Sequence, residues 1–208
     1  MQINNVNKDV INKAAEIIKS GGVVCFPTET VYALACSSDN DQAIRLIYQI
    51  KGRDFNKPLS LLVADIGQIE EVAEVIPTAK LLLDKFAPGP LTIILNKKLE
   101  SCVSSLVGTD NTIGVRVPDH PIALAIIKAV GKPIIATSAN ISGSKEAINA
   151  QQVEEQLEGK IDFIIDAGNS LLKMSSTVVD LTGKEIKIIR QGTITEIEIS
   201  SVIKSNNI

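Results

Sequence analysis

Val23-Val24-Cys25-Phe26-Pro27-Thr28-Glu29-Thr30-Val31-Tyr32 is the stretch that decides how this chain folds. Val23 to Phe26 is a short apolar run of the kind that forms a buried strand. The polar break from Pro27 to Tyr32 follows at once, and open α/β sheets bind ligands where strands end in such breaks. Thr30 and Tyr32 have the period-2 spacing that points two side chains the same way on an extended segment. They either line a pocket or cap the strand. Ahead of this stretch, Val6, Val10, Ile11, Ala14, Ile17 and Ile18 recur at helical spacing, and Gly21-Gly22 supply a stop. Behind it, Asp39 or Asn40 caps a helix with Ala43, Ile44, Ile47 and Ile50 on one face.

Strands and helices continue to alternate. Leu59 to Ala64 reads as a strand, and Ile69, Val72, Ala73 and Ile76 as a helix. Pro77 opens another helix with Leu81, Leu82 and Phe86, and Pro88-Gly89-Pro90 makes a rigid turn into the strand Leu91 to Leu95. Thr112 to Val117 alternates as a strand ended by Pro118, Ile122 to Val130 is a helix closed by Gly131, and Pro133 to Thr137 is a buried strand. Residues 138 to 150 have no period and read as a loop. Val153 to Leu157 is helical and Phe163 to Ile165 a strand. Thr177 to Leu181 and Ile186 to Ile189 form a hairpin around Thr182-Gly183. A short helix is expected from Glu196, with Lys204 to Ile208 frayed. The mixture predicts one α/β (α+β) domain over residues 1–208, core about 8–200, built as a mixed sheet with flanking helices.

Composition narrows the function. The 208 residues carry 21 Lys+Arg against 24 Asp+Glu, a net charge of −3, which argues against a strongly basic, non-specific nucleic-acid binder. Aromatics are 3% and Trp is absent, which disfavours a base-stacking platform. Cys25, Cys36 and Cys102 cannot all pair and form no CxxC, so a reduced, cytoplasmic chain is expected. No signal-peptide or membrane-spanning segment is read. The single histidine, His120, makes a His-based metal site improbable and disfavours a Ser-His-Asp hydrolase. There is neither a GxGxxG after a strand nor a GxxxxGK[ST]. Cys25 reads as core and His120 as a loop residue.

Five polar breaks remain. They are Pro27 to Tyr32, Lys51-Gly52-Arg53 with Lys57-Pro58, Thr112 through Arg116, Thr137-Ser138-Ala139-Asn140, and Ser175-Ser176-Thr177 with Arg190. Lys51, Arg53 and Lys57 set three cations around a Gly, a geometry that suits a polyanion such as a triphosphate but that composition alone reads first as a solvated turn. Only four arginines occur, and Arg53, Arg116 and Arg190 stand beside breaks. Arg116 lies inside an apolar strand, so it points to solvent or meets an anion. The hydroxyls and amide of 137–140 and 175–177 orient ligands or form turns.

Taken in order, Phe26-Pro27-Thr28-Glu29-Thr30-Val31-Tyr32-Ala33-Leu34, Lys51-Gly52-Arg53, Lys57-Pro58-Leu59, Ala87-Pro88-Gly89-Pro90-Leu91-Thr92, Val115-Arg116-Val117-Pro118, Thr137-Ser138-Ala139-Asn140 with Ser142-Gly143, Ser176-Thr177-Val178-Val179-Asp180 and Arg190-Gln191-Gly192 resemble the YrdC-like family of L-threonylcarbamoyladenylate synthases. The resemblance runs from about residue 15 to 195. It implies a twisted open sheet around a large concave site. It also implies synthesis of threonylcarbamoyl-AMP and pyrophosphate from L-threonine, bicarbonate or CO2 and ATP, with Mg2+ held through the ATP phosphates. The product would feed the N6-threonylcarbamoyl modification of adenosine 37 in tRNA, through a downstream threonylcarbamoyl-transferase complex.

Carried over by position, the resemblance puts Thr30, Tyr32, Arg116, Ser138 and Ser176 on the threonine side, with Arg116 taking the carboxylate as a fork. It puts Lys51, Arg53, Lys57, Thr112, Asn140, Ile148 and Arg190 on the ATP side, Lys51 and Arg53 acting on the reacting phosphates. No residue is read as a resident metal ligand. Three positions depart from the pattern. Leu62 stands where longer members carry a threonine-contacting His, Ala33 where Gly is usual, and Ala87 follows Phe86 where Trp is frequent. The longer members' extra C-terminal domain has no counterpart, so the short, single-domain type is expected. Two other classes stay in view: a module of the same fold that binds double-stranded RNA or tRNA without ATP chemistry, and a carbamoyl-transfer domain of larger maturation proteins.

Overall fold

Alternation along each strand sends apolar side chains to two sides of one sheet, and helices cover those sides unequally. The computed structural model describes residues 6–109 and 111–205. Its strands are Val24–Phe26 (β1), Ala33–Ser37 (β2), Ser60–Leu62 (β3), Leu91–Asn96 (β4), Thr112–Arg116 (β5), Ile134–Ser138 (β6), Phe163–Ile164 (β7), Thr177–Asp180 (β8) and Lys187–Arg190 (β9). Its helices are Lys8–Lys19 (α1), Asp41–Lys51 (α2), Ile66–Val72 (α3), Pro77–Phe86 (α4), Pro121–Val130 (α5), Ala150–Leu157 (α6) and Glu196–Ser205 (α7). Among the described residues the strands form one mixed sheet in the order β7-β1-β2-β6-β3-β5-β4-β8-β9. Parallel pairs are β1 with β7, β3 with β5 and β4 with β8; the other neighbours are antiparallel.

On one side, Cys25, Leu34, Cys36, Leu61, Ile93, Val115, Ile135 and Val179 share a core with Ile44 and Ile47 of α2, Ile69 of α3, Leu82 and Leu83 of α4 and Val153 of α6. On the other, Val24, Phe26, Ala33, Ala35, Leu62 and Ile134 pack with Ala14 and Ile18 of α1 and Ile122, Ile126 and Ile127 of α5. Among the described residues that second layer holds two helices, over the β7-β1-β2-β6 half. The rest of the face carries Ser60, Thr92, Ile94, Arg116 and Val178, and it is left open as the floor of a cavity. No helix among the described residues is long and apolar enough to cross a membrane.

Local chemistry sets the element ends. Asn7, Asn40, Asp65 and Asn149 cap α1, α2, α3 and α6 by accepting from the backbone N–H three residues on. Gly52 and Gly131 end α2 and α5 in the left-handed region, with φ of 57° and 84°.

Three expectations change. β2 was not foreseen, because all five of its residues are buried and no apolar–polar alternation marks it. The third helix stops at Val72: Ala73 is extended and bridges to Lys97, and Ile76, held extended at ψ 160° by the following proline, instead precedes α4. The C-terminal helix runs to Ser205, so Lys204 is helical, while the rest of the tail expected to fray, residues 206–208, lies outside the described residues.

Gly192 ties β9 to the start of β8, donating its N–H to Thr177 Oγ1 at 2.9 Å. A Cβ there would sit 2.3 Å from the Ser175 carbonyl oxygen and 2.5 Å from the Ser176 carbonyl carbon and the Thr177 nitrogen. Backbone cannot move aside as a flexible side chain does, so Gly192→Ala is expected to cost about 1–3 kcal/mol. In a thermal melt that is a fall in Tm of roughly 2–12 °C for a chain of this size; an unchanged Tm would contradict the packing.

Candidate active site

The open half-face forms the floor of a cavity of about 720 Å3. Its walls come from four of the five breaks: Thr28 with Thr30, Val31 and Tyr32; Arg53 with Asn56, Lys57 and Pro58; Thr137 and Ser138; and Ser175 and Ser176 with Arg190. From the fifth, Arg116 alone contributes. Among the described residues no carboxylate lines it; the polar lining is hydroxyls, amides and cations. Leu59, Leu62, Ile94, Val178 and Ile189 supply an apolar surface beside them.

Arg116 is buried at the C-terminal end of β5, in register with Leu62 of β3. Its Nη2 donates to Glu29 Oε1 at 2.6 Å and to Thr30 Oγ1 at 2.9 Å, and its Nε to the Gly89 carbonyl at 3.1 Å. Glu29 is only 5% exposed, so this is a buried ion pair. The expected two-nitrogen fork toward a ligand is therefore spent on the protein, and only Nη1 remains for the cavity. The cause is the bend over residues 29–31, which sends Glu29 inward; the extended period-2 reading of Thr30 and Tyr32 does not hold there. Thr28 Oγ1 stabilises the bend by donating to the Val31 carbonyl at 2.6 Å. Tyr32 anchors its far side, its hydroxyl donating to the Gly168 carbonyl at 2.9 Å, and burial pushes that hydroxyl up to about 12.

Arg190 stands across the floor. Val178 pairs with Arg190 on one side and Thr92 on the other. Arg190 donates from Nε to the Ser176 carbonyl at 3.0 Å and from Nη2 to Ser176 Oγ at 3.1 Å, and Ser176 Oγ lies 2.8 Å from Thr92 Oγ1. Burial lowers the Arg190 pKa; Glu146 opposes this, while Arg116 and Arg53 reinforce it. On the near rim, Arg53 donates from Nε to the Lys57 carbonyl at 3.0 Å and from Nη2 to the Pro58 carbonyl at 3.1 Å. Among the described residues no carboxylate pairs with Arg53, Lys57 or Arg190.

Lys51 does not reach the cavity. It is 1% exposed, and its Nζ donates to the Ser138 carbonyl at 2.5 Å, the Asn140 carbonyl at 2.8 Å and Asn140 Oδ1 at 3.2 Å. Burial and then Arg53 push its pKa down to about 8, so at pH 7 it is an ammonium with three donors for three oxygens. Asn140 also sits behind the wall, accepting from Ser138 Oγ at 2.7 Å and donating to the Ser144 carbonyl at 2.7 Å.

Two further expected residues lie apart. Thr112 is at the other end of β5 from Arg116, roughly 13 Å along the strand. It donates to the Thr109 carbonyl at 2.6 Å and lines a separate hollow with Lys97 and Gly108. Ile148 is held by backbone bonds to Gln152 Oε1 and Ser170 N and does not line the cavity. Sequence reading passed over Glu29 and Thr92. Both lay within quoted motifs; a carboxylate inside an otherwise buried break was the available signal for Glu29. Cys25 and Cys36 are buried core thiols, both raised by burial. His120 is buried at the N-terminus of α5, its Nδ1 unpartnered and its pKa lowered by burial.

Known proteins share this architecture. The Sua5/YciO/YrdC family, described as "Telomere recombination", matches residues 16–192. Threonylcarbamoyl-AMP synthase of Bacillus subtilis (strain 168) is 38% identical over 200 residues, covering 96% of this chain and 58% of that protein. Threonylcarbamoyl-AMP synthase of Pyrococcus abyssi is 41% identical over 194 residues, covering 93% of this chain and 57% of that protein. The chain thus spans less than two thirds of the length of these curated relatives. The crystal structure of P. abyssi Sua5 complexed with L-threonine superposes with a TM-score of 0.91 at 39% identity, over 96% of this chain and 59% of that chain. The crystal structure of Escherichia coli YciO superposes with a TM-score of 0.82 at 31% identity, over 92% of this chain and 93% of that chain. With one family matched over more than half its length, and relatives of that family above 30% identity over nearly all of it, this chain belongs to the Sua5/YciO/YrdC family.

Proposed function

We propose that this chain is an L-threonylcarbamoyladenylate synthase, a nucleotidyltransferase that makes threonylcarbamoyl-AMP and pyrophosphate from L-threonine, bicarbonate or CO2 and ATP. One observation carries the reading: residues from five distant sequence breaks line a single cavity, with an already paired arginine at one part of its floor and uncompensated cations at the others. Relatives named threonylcarbamoyl-AMP synthase, and a threonine complex of one close in structure, support it.

In this reading Arg116 Nη1, Thr30, Ser138 and Ser176 hold the amino acid, and Tyr32 holds the bend that carries Thr30. Arg53, Lys57 and Arg190 meet the nucleotide's phosphates. Lys51 and Asn140 act from behind the wall by fixing Ser138. The amine of threonine, once deprotonated, attacks CO2 to give a carbamate. A carbamate oxygen then attacks the α-phosphorus as the bond to the bridging oxygen breaks and pyrophosphate leaves. Neither step needs a protein nucleophile; positioning and neutralisation of phosphate charge supply the acceleration. Among the described residues the lining offers no carboxylate seat for a divalent ion, so Mg2+ would arrive held by the ATP phosphates. The product would pass to the tRNA threonylcarbamoyl-transferase machinery in the cytoplasm, and any contact with tRNA would use the Arg53–Lys57 rim.

Pyrophosphate release measured with each substrate omitted in turn tests the reading. Release is expected only when ATP, threonine and bicarbonate are all present. ATP loss independent of threonine, or salt-sensitive RNA binding with no ATP loss, would favour a different activity. Arg53→Ala is expected to lower the rate by ~10²-fold through loss of a charge-stabilising donor. Arg116→Lys keeps a charge for Glu29 but loses Nη1, so KM for threonine should rise by roughly tenfold while KM for ATP holds; a rise confined to ATP would reverse the division of the cavity.

A further inference from the structure

Glu29 is a buried carboxylate beside a cavity that otherwise gathers cations, and the synthase reading gives it no task. A guanidinium has five N–H groups. Arg116 spends three of them on Glu29, Thr30 and Gly89, so its direction is fixed and both hydrogens of Nη1 are left over. The 2.6 Å contact with Glu29 also cancels its charge. His120 stands near this carboxylate, but burial favours its neutral form, and its Nδ1 makes no bond. Glu29 Oε2 is likewise buried without a partner. Arg53, Lys57 and Arg190 have no such carboxylate among the described residues. The cavity is thus divided into a corner whose arginine is ion-paired and one whose cations make no ion pair among the described residues, with Glu146 acting on Arg190 only from nearby.

We propose that Glu29 is a positioning and selectivity residue: by neutralising Arg116 it keeps phosphate groups out of the amino-acid corner while leaving Nη1 aimed at a carboxylate. The physical problem is real for any cavity that must hold an amino acid beside a triphosphate. A free arginine prefers a phosphate, which carries more charge and offers more acceptor oxygens than a carboxylate. An arginine already paired with Glu29 offers two hydrogens and little net field. Specificity then comes from withheld charge, a form of discrimination against the wrong ligand. The proposal rests on the synthase reading for the identity of the amino acid, but its electrostatic content does not.

Calorimetric titration of the full chain with inorganic pyrophosphate, with and without saturating L-threonine, tests it. Glu29→Gln keeps the shape and an acceptor for Nη2 but removes the charge. It is expected to bind pyrophosphate at least tenfold tighter than the unsubstituted chain, with threonine now competing. Glu29→Asp, which keeps the charge, should stay within about threefold of the parent. Pyrophosphate affinity unchanged in Glu29→Gln overturns the proposal. The doubly neutral E29Q/R116Q leaves no buried charge unpaired, so it keeps the test open if the single variant does not fold. Its pyrophosphate affinity should match the parent within about twofold, and a larger loss would show that Arg116 acts on phosphate despite Glu29, again overturning the proposal. Failure of the parent chain to bind threonine, with the pyrophosphate results as expected, would sink the synthase reading and leave the role of Glu29 intact.

Discussion

A β-strand has two faces, and over half of this sheet only one of them is covered by helices. That imbalance is the constraint from which the site follows. Ile93, Val115 and Val179 are committed to the fully covered side. Their neighbours in sequence, Thr92, Ile94, Gly114, Arg116 and Val178, must therefore face the other way, where α1 and α5 do not reach. A polar or charged residue on such a face needs no helix to accept it. The same alternation that builds the core thus delivers hydroxyls and a guanidinium to a concave floor, and the loops at the strand ends raise its walls.

Charge is then distributed within that concavity by pairing. Arg116 is compensated by Glu29 and held by two further acceptors. Arg190 and Arg53 bond only to carbonyls and a hydroxyl, and both are pulled down by burial, Arg190 also by its cationic neighbours. Cations kept close together with no carboxylate in ion-pair contact, and only Glu146 acting on Arg190 from nearby, favour an anion with several acceptor oxygens. The floor between is apolar at Ile94 and Val178. In the proposed reading, a small zwitterion occupies the paired end and a nucleotide the other.

Most of the elements were legible because the fold uses ordinary signals: helical periods closed by Gly52 and Gly131, strands bounded by prolines, a hairpin at Thr182-Gly183. β2 escaped because it is buried on both faces. The end of α3 escaped because Ala73 and Ile76 continue the helical period while the backbone obeys Pro77 instead. At the site, the breaks named from sequence do converge, since strand ends are where polar residues interrupt apolar runs. What sequence could not give was direction. Thr112 and Arg116 share a strand face, yet they stand at opposite ends of β5 and serve different hollows. Charge type alone also grouped Lys51 with Arg53, although one points into the protein and the other to the rim.

That last separation has a local cause. Lys51 is the final residue of α2, and Gly52 takes the left-handed conformation that turns the chain sharply after it. One residue later Arg53 lies on the cavity rim, while Lys51 has stayed on the inward side of the helix. A lysine suits that inner position. Its compact ammonium fits among three oxygens of the Ser138–Asn140 segment, whereas a planar guanidinium would need more room and a different set of acceptors. The bond is returned by the backbone, because Ser142 N donates to the Lys51 carbonyl at 2.8 Å. The loop carrying Arg53 and Lys57 and the strand end carrying Ser138 are therefore fastened to each other behind the wall. Two residues that look alike in sequence divide the work: Arg53 lines the cavity, and Lys51 ties the end of α2 to the Ser138–Asn140 segment behind it.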